Sequence, residues 1–251
     1  MRNRCFLLFF LLLLFSCAQT PNSIQVTGQT NRVAETNLNL GVEYLKRGDY
    51  EKALDKLNRA LEADPKYPPT YNALGILYQK LGKPDEAEDY FKRALRINST
   101  DPHTLNNYGQ LLCAEERYED AEKAFLKAAG NPLYETPEIS LTNAGTCALK
   151  SGNVETAETH FREALNINPR VAIALLQMSQ LSYDNGNYLS ARGYLQRYLE
   201  VGKHTAKTLW LGIQIEKELG DKDTLSSYAL SLRNNFPRSE EARLLQESGL
   251  K

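Results

Sequence analysis

The sequence predicts an all-α fold, an α-solenoid in which about six helix-turn-helix units stack into a superhelix. Three observations predict it. Small residues recur in phase at Gly41, Gly75, Gly109 and Gly145, and turn glycines recur at Gly48, Gly82, Gly152 and Gly186. A second set follows in the same phase: Ala53, Ala87, Ala121, Ala157 and Ala191, then Leu57, Phe91, Phe125, Phe161 and Leu195, then Ala60, Ala94, Ala128 and Ala164. Finally, this periodicity begins only near residue 34, after a segment of a different kind. Repetition at a fixed period is the signature of stacked units that cannot bury their apolar faces alone.

The first segment, 1–16, is expected to be a signal peptide. Arg2 and Arg4 supply a positive start, and residues 6–15 are unbroken apolar sequence, long enough for a signal core and too short to span a bilayer. Leu14-Phe15-Ser16-Cys17 resembles the lipobox of bacterial lipoproteins, from which only Phe15 departs. The resemblance implies that Cys17 receives a diacylglycerol and becomes an acylated N-terminus after cleavage. An ordinary secretory peptide cut at another small residue, with Cys17 lost or left free, is the alternative. Ala18, by resemblance to Gram-negative lipoproteins, implies release to the outer membrane. Residues 17–33 are polar, contain Pro21 and Gly28 and lack apolar periodicity, so they predict a flexible lipidated tether.

The units are placed at 34–67, 68–101, 102–137, 138–171, 172–204 and 205–237. Within each, glycine or alanine at the eighth and twentieth positions lets two helices approach, and leucine or an aromatic at the twenty-fourth fills the space beside them. Pro65, Pro102, Pro132 and Pro169 stand at or near unit ends, where a helix cannot continue. This pattern resembles the tetratricopeptide repeat over nearly the whole mature chain. The third unit carries two extra residues near 131–137, either a plain loop or a bend. The fifth replaces its small residue with Ser179 and an alanine with Tyr198, and the sixth shifts its turn glycine to Gly220. Residues 238–251 predict a polar capping helix with Leu244 and Leu245 inward. Glu86, Glu88, Asp89, Lys92 and Arg93 predict a solvated convex face.

Composition narrows the function. With 30 basic and 31 acidic residues and no basic stripe among aromatics, nucleic-acid binding is not expected. His103, His160 and His204 fall in different units, and no metal-ligand spacing, phosphate loop or nucleophile elbow occurs, so no enzyme, metal or cofactor is expected. Asn98-Ser99-Thr100 matches a glycosylation sequon and equally a polar turn. Cys113 and Cys147 lie in the first helices of neighbouring units. They can bridge if their Cβ atoms approach within about 4.5 Å; otherwise they are two unpaired small apolar residues.

Binding surface is what remains. The first helix of each unit is expected to line the concave groove, which selects Leu38, Val42 and Leu45, then Asn72, Ile76 and Gln79, then Asn106 and Gln110. Thr142 and Thr146, then Leu176, Gln180 and Tyr183, and finally Trp210 and Gln214 continue it. The first unit is thus expected to expose an apolar strip suited to a hydrophobic or helical peptide, unless residues 35–45 pack against the tether or the next helix. Leu38 and Val42 stand where carboxylate-clamp repeats carry Lys and Asn, which argues against chaperone-tail binding.

Residues 37–125, and in particular the stretch Asn107, Tyr108, Gly109 to Cys113, resemble the type IV pilus biogenesis and stability lipoproteins, the PilF/PilW pilotin family. The resemblance implies a non-catalytic outer-membrane lipoprotein that binds the pilus secretin and promotes its localisation and multimer assembly. A general scaffold for envelope enzymes or for barrel insertion is the alternative.

Overall fold

A computed structural model describes the backbone of residues 23–250 and the side chains of residues 32–250. Cys17 and the signal segment lie outside the described residues. Thirteen helices and no strands occur among those described: α1 (Ser23–Lys46), α2 (Tyr50–Ala63), α3 (Pro68–Lys80), α4 (Pro84–Ile97), α5 (Pro102–Ala114), α6 (Tyr118–Ala129), α7 (Pro137–Lys150), α8 (Val154–Ile167), α9 (Ala172–Asp184), α10 (Tyr188–Leu199), α11 (Ala206–Leu219), α12 (Lys222–Asn235) and α13 (Glu240–Glu247). They pair as six antiparallel hairpins, α1 with α2 through α11 with α12, closed by α13. The fold is an all-α solenoid of tetratricopeptide repeats.

Local chemistry sets the helix ends. Proline opens α3, α4, α5 and α7, where its missing N–H costs nothing. Asp49, Asp101, Asn153, Asp221 and Ser239 cap α2, α5, α8, α12 and α13 by accepting from a backbone N–H in the first turn. The hairpin turns need a left-handed residue, supplied by Gly48 (φ 76°) and its counterparts, but by Glu116 (φ 60°) in the third unit.

Packing within the hairpins is set by the small residues. A Cβ on Gly75 would lie 2.6 Å from the Phe91 ring, and one on Gly41 would lie 2.7 Å from Leu57. Gly109 against Phe125 and Gly145 against Phe161 repeat the contact. These aromatic rings are almost wholly buried, each gaining on the order of 2–3 kcal/mol from water exclusion.

Three expectations need correction, and one open alternative is resolved. The stretch 17–33 is not flexible throughout, because α1 begins at Ser23. The insertion at 131–137 is a packed loop: Tyr134 is buried with Leu105 and Ala128 and meets His103 edge-on, while Asn131 Nδ2 donates to the Thr100 carbonyl at 2.7 Å. The sixth unit is more regular than expected, with Gly212 against Tyr228 in the same contact as Gly75 against Phe91. The capping helix is short, and of its two leucines Leu245 is fully buried while Leu244 is half-buried.

Candidate functional site

The wall formed by the first helices is built partly from polar residues that bond one unit to the next. Asn107 Nδ2 donates to Asn72 Oδ1 at 3.0 Å, from unit three to unit two. One unit on, Asn143 Nδ2 donates to Asn106 Oδ1 at 2.9 Å, and Ser140 Oγ donates to the same oxygen at 2.9 Å. The amides at equivalent positions therefore form a ladder, and Asn106 is buried in it. Thr142 and Thr146 turn their hydroxyls onto the carbonyls of Glu138 and Thr142, one helical turn back.

This changes the expected groove. Leu38 does not face a partner: it is 8% exposed and packs with Ala53, Leu57, Ala73 and Leu77. Val42 and Leu45 lie half-buried against the same cluster, so the apolar strip of the first unit is largely spent on unit two. The reason is that unit one has no preceding unit, and its leucines close the end of the core. Ile76 is half-buried beside Phe91 and Leu111, Gln79 is half-buried, and Gln110 is exposed. Leu176 and Tyr183 pack on the cluster of Leu195 and Ile215, Gln180 is exposed and donates to Asp184, and Trp210 and Gln214 are half-buried. The accessible wall is thus narrower and more amide-rich than the sequence pattern implies.

Cys113 and Cys147 come together across the junction of units three and four. Their Cα atoms are 5.9 Å apart and their sulfurs lie at bonding distance, 2.16 Å, which is disulfide geometry. A cleft of about 320 Å³ lies beside them, lined by Tyr118, Glu119, Glu122, Cys147 and Thr156 among others. His160 is buried near it, its Nε2 2.8 Å from Glu122 Oε1, which ties α8 to α6. His103 is exposed, and burial lowers the pKa of His204, which packs edge-on to Tyr228. No group of three or more metal-ligating side chains occurs among the described residues.

Two charge networks were not legible as such. Glu88, expected on a solvated face, is partly buried and accepts from Tyr108 (2.7 Å) and Arg117 (2.8 Å) of the next unit and pairs with Lys92 (2.9 Å). Burial alone would raise its pKa, but hydrogen bonds from Lys92, Tyr108 and Arg117 outweigh it and hold the carboxyl at about 2. Burial and the bond to Glu88 push Tyr108 up to about 12. Between units five and six, Arg192 donates to Glu216, which is 2% exposed, and reaches Asp221 at 3.4 Å. Nothing in the spacing of Arg192 and Glu216 marks them as partners, since they belong to different units. The recurring Asn72, Asn106, Asn107 and Asn143 were a signal that sequence reading could have used.

No helix among the described residues is long and apolar enough to cross a membrane. The tetratricopeptide repeat family model matches residues 33–100, and a second such model matches 72–134 and 142–204. The chain is 31% identical over 225 residues to the type IV pilus assembly protein PilF of Pseudomonas aeruginosa, covering 90% of this chain and 89% of that one. The solved structure of Pseudomonas aeruginosa PilF superposes with a TM-score of 0.80 at 31% identity, covering 88% of this chain and 99% of that one. The crystal structure of PilW, described as a widely conserved type IV pilus biogenesis factor, matches with a TM-score of 0.75 and 31% identity, over 86% of this chain and 99% of that one.

Proposed function

Because the chain belongs to the tetratricopeptide repeat family of type IV pilus biogenesis proteins, we propose that it is a non-catalytic outer-membrane lipoprotein that binds the pilus secretin and promotes its multimer assembly. The observation that carries this reading is that the likeness to proteins of pilus assembly runs through nearly the whole repeat array rather than one unit. The lipid on Cys17 supplies the location, and the groove of units two and three, with Ile76, Gln79 and Gln110 accessible, supplies the contact. The Cys113–Cys147 bridge forms in the oxidising envelope and locks the middle of the wall.

Pull-down from detergent-solubilised envelopes is expected to recover secretin, and deletion of the gene to deplete secretin multimers. Normal multimers in the deletion strain would overturn the reading. Recovery of envelope enzymes or barrel-insertion components in place of secretin would favour a general scaffold. Cys17→Ser is expected to leave the repeats folded and to release the protein from the membrane fraction.

A further inference from the structure

The first helices of all six units run in the same direction, so every one of them begins on one edge of the solenoid, the edge that carries the connections between units. That edge carries several exposed apolar side chains over units three to five. Leu133 in the packed loop is 87% exposed, Ile173 in the first turn of α9 is 58% exposed, and Ile167 at the end of α8 is 52% exposed. Ile139 in the first turn of α7 adds to them. The loops are held in place: Asn131 bonds Thr100, Asn168 Nδ2 bonds Glu138 at 3.3 Å, and Arg197 bonds the Pro169 carbonyl at 3.1 Å. These side chains therefore stand on loops that are tied in place.

α1 is a first helix too, and its N-terminus points off this same edge. Residues 23–33 precede the first unit and extend about 16 Å at roughly 1.5 Å per residue. From Ser23 back to Cys17 the chain spans at most about 20 Å at roughly 3.5 Å per residue. A lipid on Cys17 thus approaches the solenoid from the side on which Leu133, Ile167 and Ile173 are exposed. We propose that this edge of units three to five docks on the lipid bilayer, resting on the reading that Cys17 is lipidated. The array then has two points of attachment. The anchored α1 holds the first units off the surface with their groove open, and the apolar edge of the later units rests on the lipid. Charges on the edge of units three to five balance, Lys127, Arg170, Arg197 and Lys203 against Asp101, Glu135, Glu138 and Glu200, so the contact is apolar and insensitive to salt.

The opposite edge provides the control, since Leu189 is 73% exposed in the first turn of α10. In a Trp210→Phe background, which removes the single tryptophan, Leu133→Trp and Leu189→Trp each place one fluorophore on one edge. The full lipidated chain is reconstituted in vesicles of phosphatidylethanolamine and phosphatidylglycerol with or without brominated acyl chains. Loss of emission with brominated lipid is expected for Leu133→Trp and not for Leu189→Trp, at low and high salt alike. Equal quenching at both positions, or none at position 133, would overturn the proposal. A blue shift of Leu133→Trp without vesicles, together with a doubled mass in sedimentation, would instead assign the edge to a second copy and also overturn it. Mass spectrometry of the envelope-purified protein tests the anchor separately. If no lipid is found, the Cys17→Ser chain at high vesicle concentration still decides docking by the same quenching pattern.

Discussion

Between α3 and α4 the space is filled by the Phe91 ring, lying where Gly75 has no side chain. At the corresponding place in unit five stands Ser179, fully buried, whose hydroxyl donates to the Ala191 carbonyl at 2.9 Å. The next junction is closed by Arg192 on Glu216 and Asp221. The backbone arrangement is the same in both places, but the hairpin of unit two is held by apolar shape, whereas that of unit five carries a buried hydrogen bond and its junction with unit six an ion pair. The difference teaches that the repeat fixes where helices must touch, while the chemistry of the touch is free to vary. Apolar contacts are indifferent to pH. Polar ones are not, and leaving one partner buried alone is costly.

The contrast can be broken most strongly at Phe91. Phe91→Ala leaves a cavity beside Gly75 and is expected to destabilise by about 4 kcal/mol, equally at neutral and mildly acidic pH. Chemical denaturation at two pH values checks this, and a clearly pH-dependent loss would argue against a purely apolar contact. Arg192→Met is expected to cost about 3 kcal/mol, because it strands the Glu216 carboxylate in the interior. Adding Glu216→Gln should recover much of that loss, which a double-mutant cycle measures. A rescue of that size has no counterpart at the Gly75–Phe91 contact.

Glu88 sharpens the comparison, being a polar clasp between units two and three on the same helix as Phe91. Its carboxyl is held at about 2 against an ordinary 4.5, so its contribution is complete above about 4.5 and is lost as pH falls toward 2. With allowance for solvent screening the loss is at most about 2 kcal/mol. Comparing the native chain with Glu88→Gln by denaturation across that range should show the difference between them shrinking as pH falls. A constant difference would show that the clasp to Tyr108 and Arg117 carries no pH-dependent stability.

Much of the fold was legible because the residues that define it act locally. Gly75 and Phe91 recur at a fixed spacing because one hairpin brings them together, so a single unit's pattern specifies its own contact. The disulfide pair was legible as a possibility for a related reason: Cys113 and Cys147 occupy matching places in adjacent units. The groove was less legible. Leu38 and Asn106 stand where groove residues are expected, yet one closes the end of the core and the other bonds Ser140 and Asn143. Position along a helix gives the direction of a side chain but does not say what the neighbouring unit has placed there.

By itself, the sequence determined the helix pairs, their number and their order of stacking, because these follow from periodic small and apolar residues and from turn glycines acting within one unit. Only the tertiary structure decided that α1 reaches back to Ser23, which wall residues remain accessible, and that Leu133, Ile167 and Ile173 share one edge. Those outcomes depend on how successive units lean on one another. That is a sum of many weak contacts between distant residues, which no local pattern records.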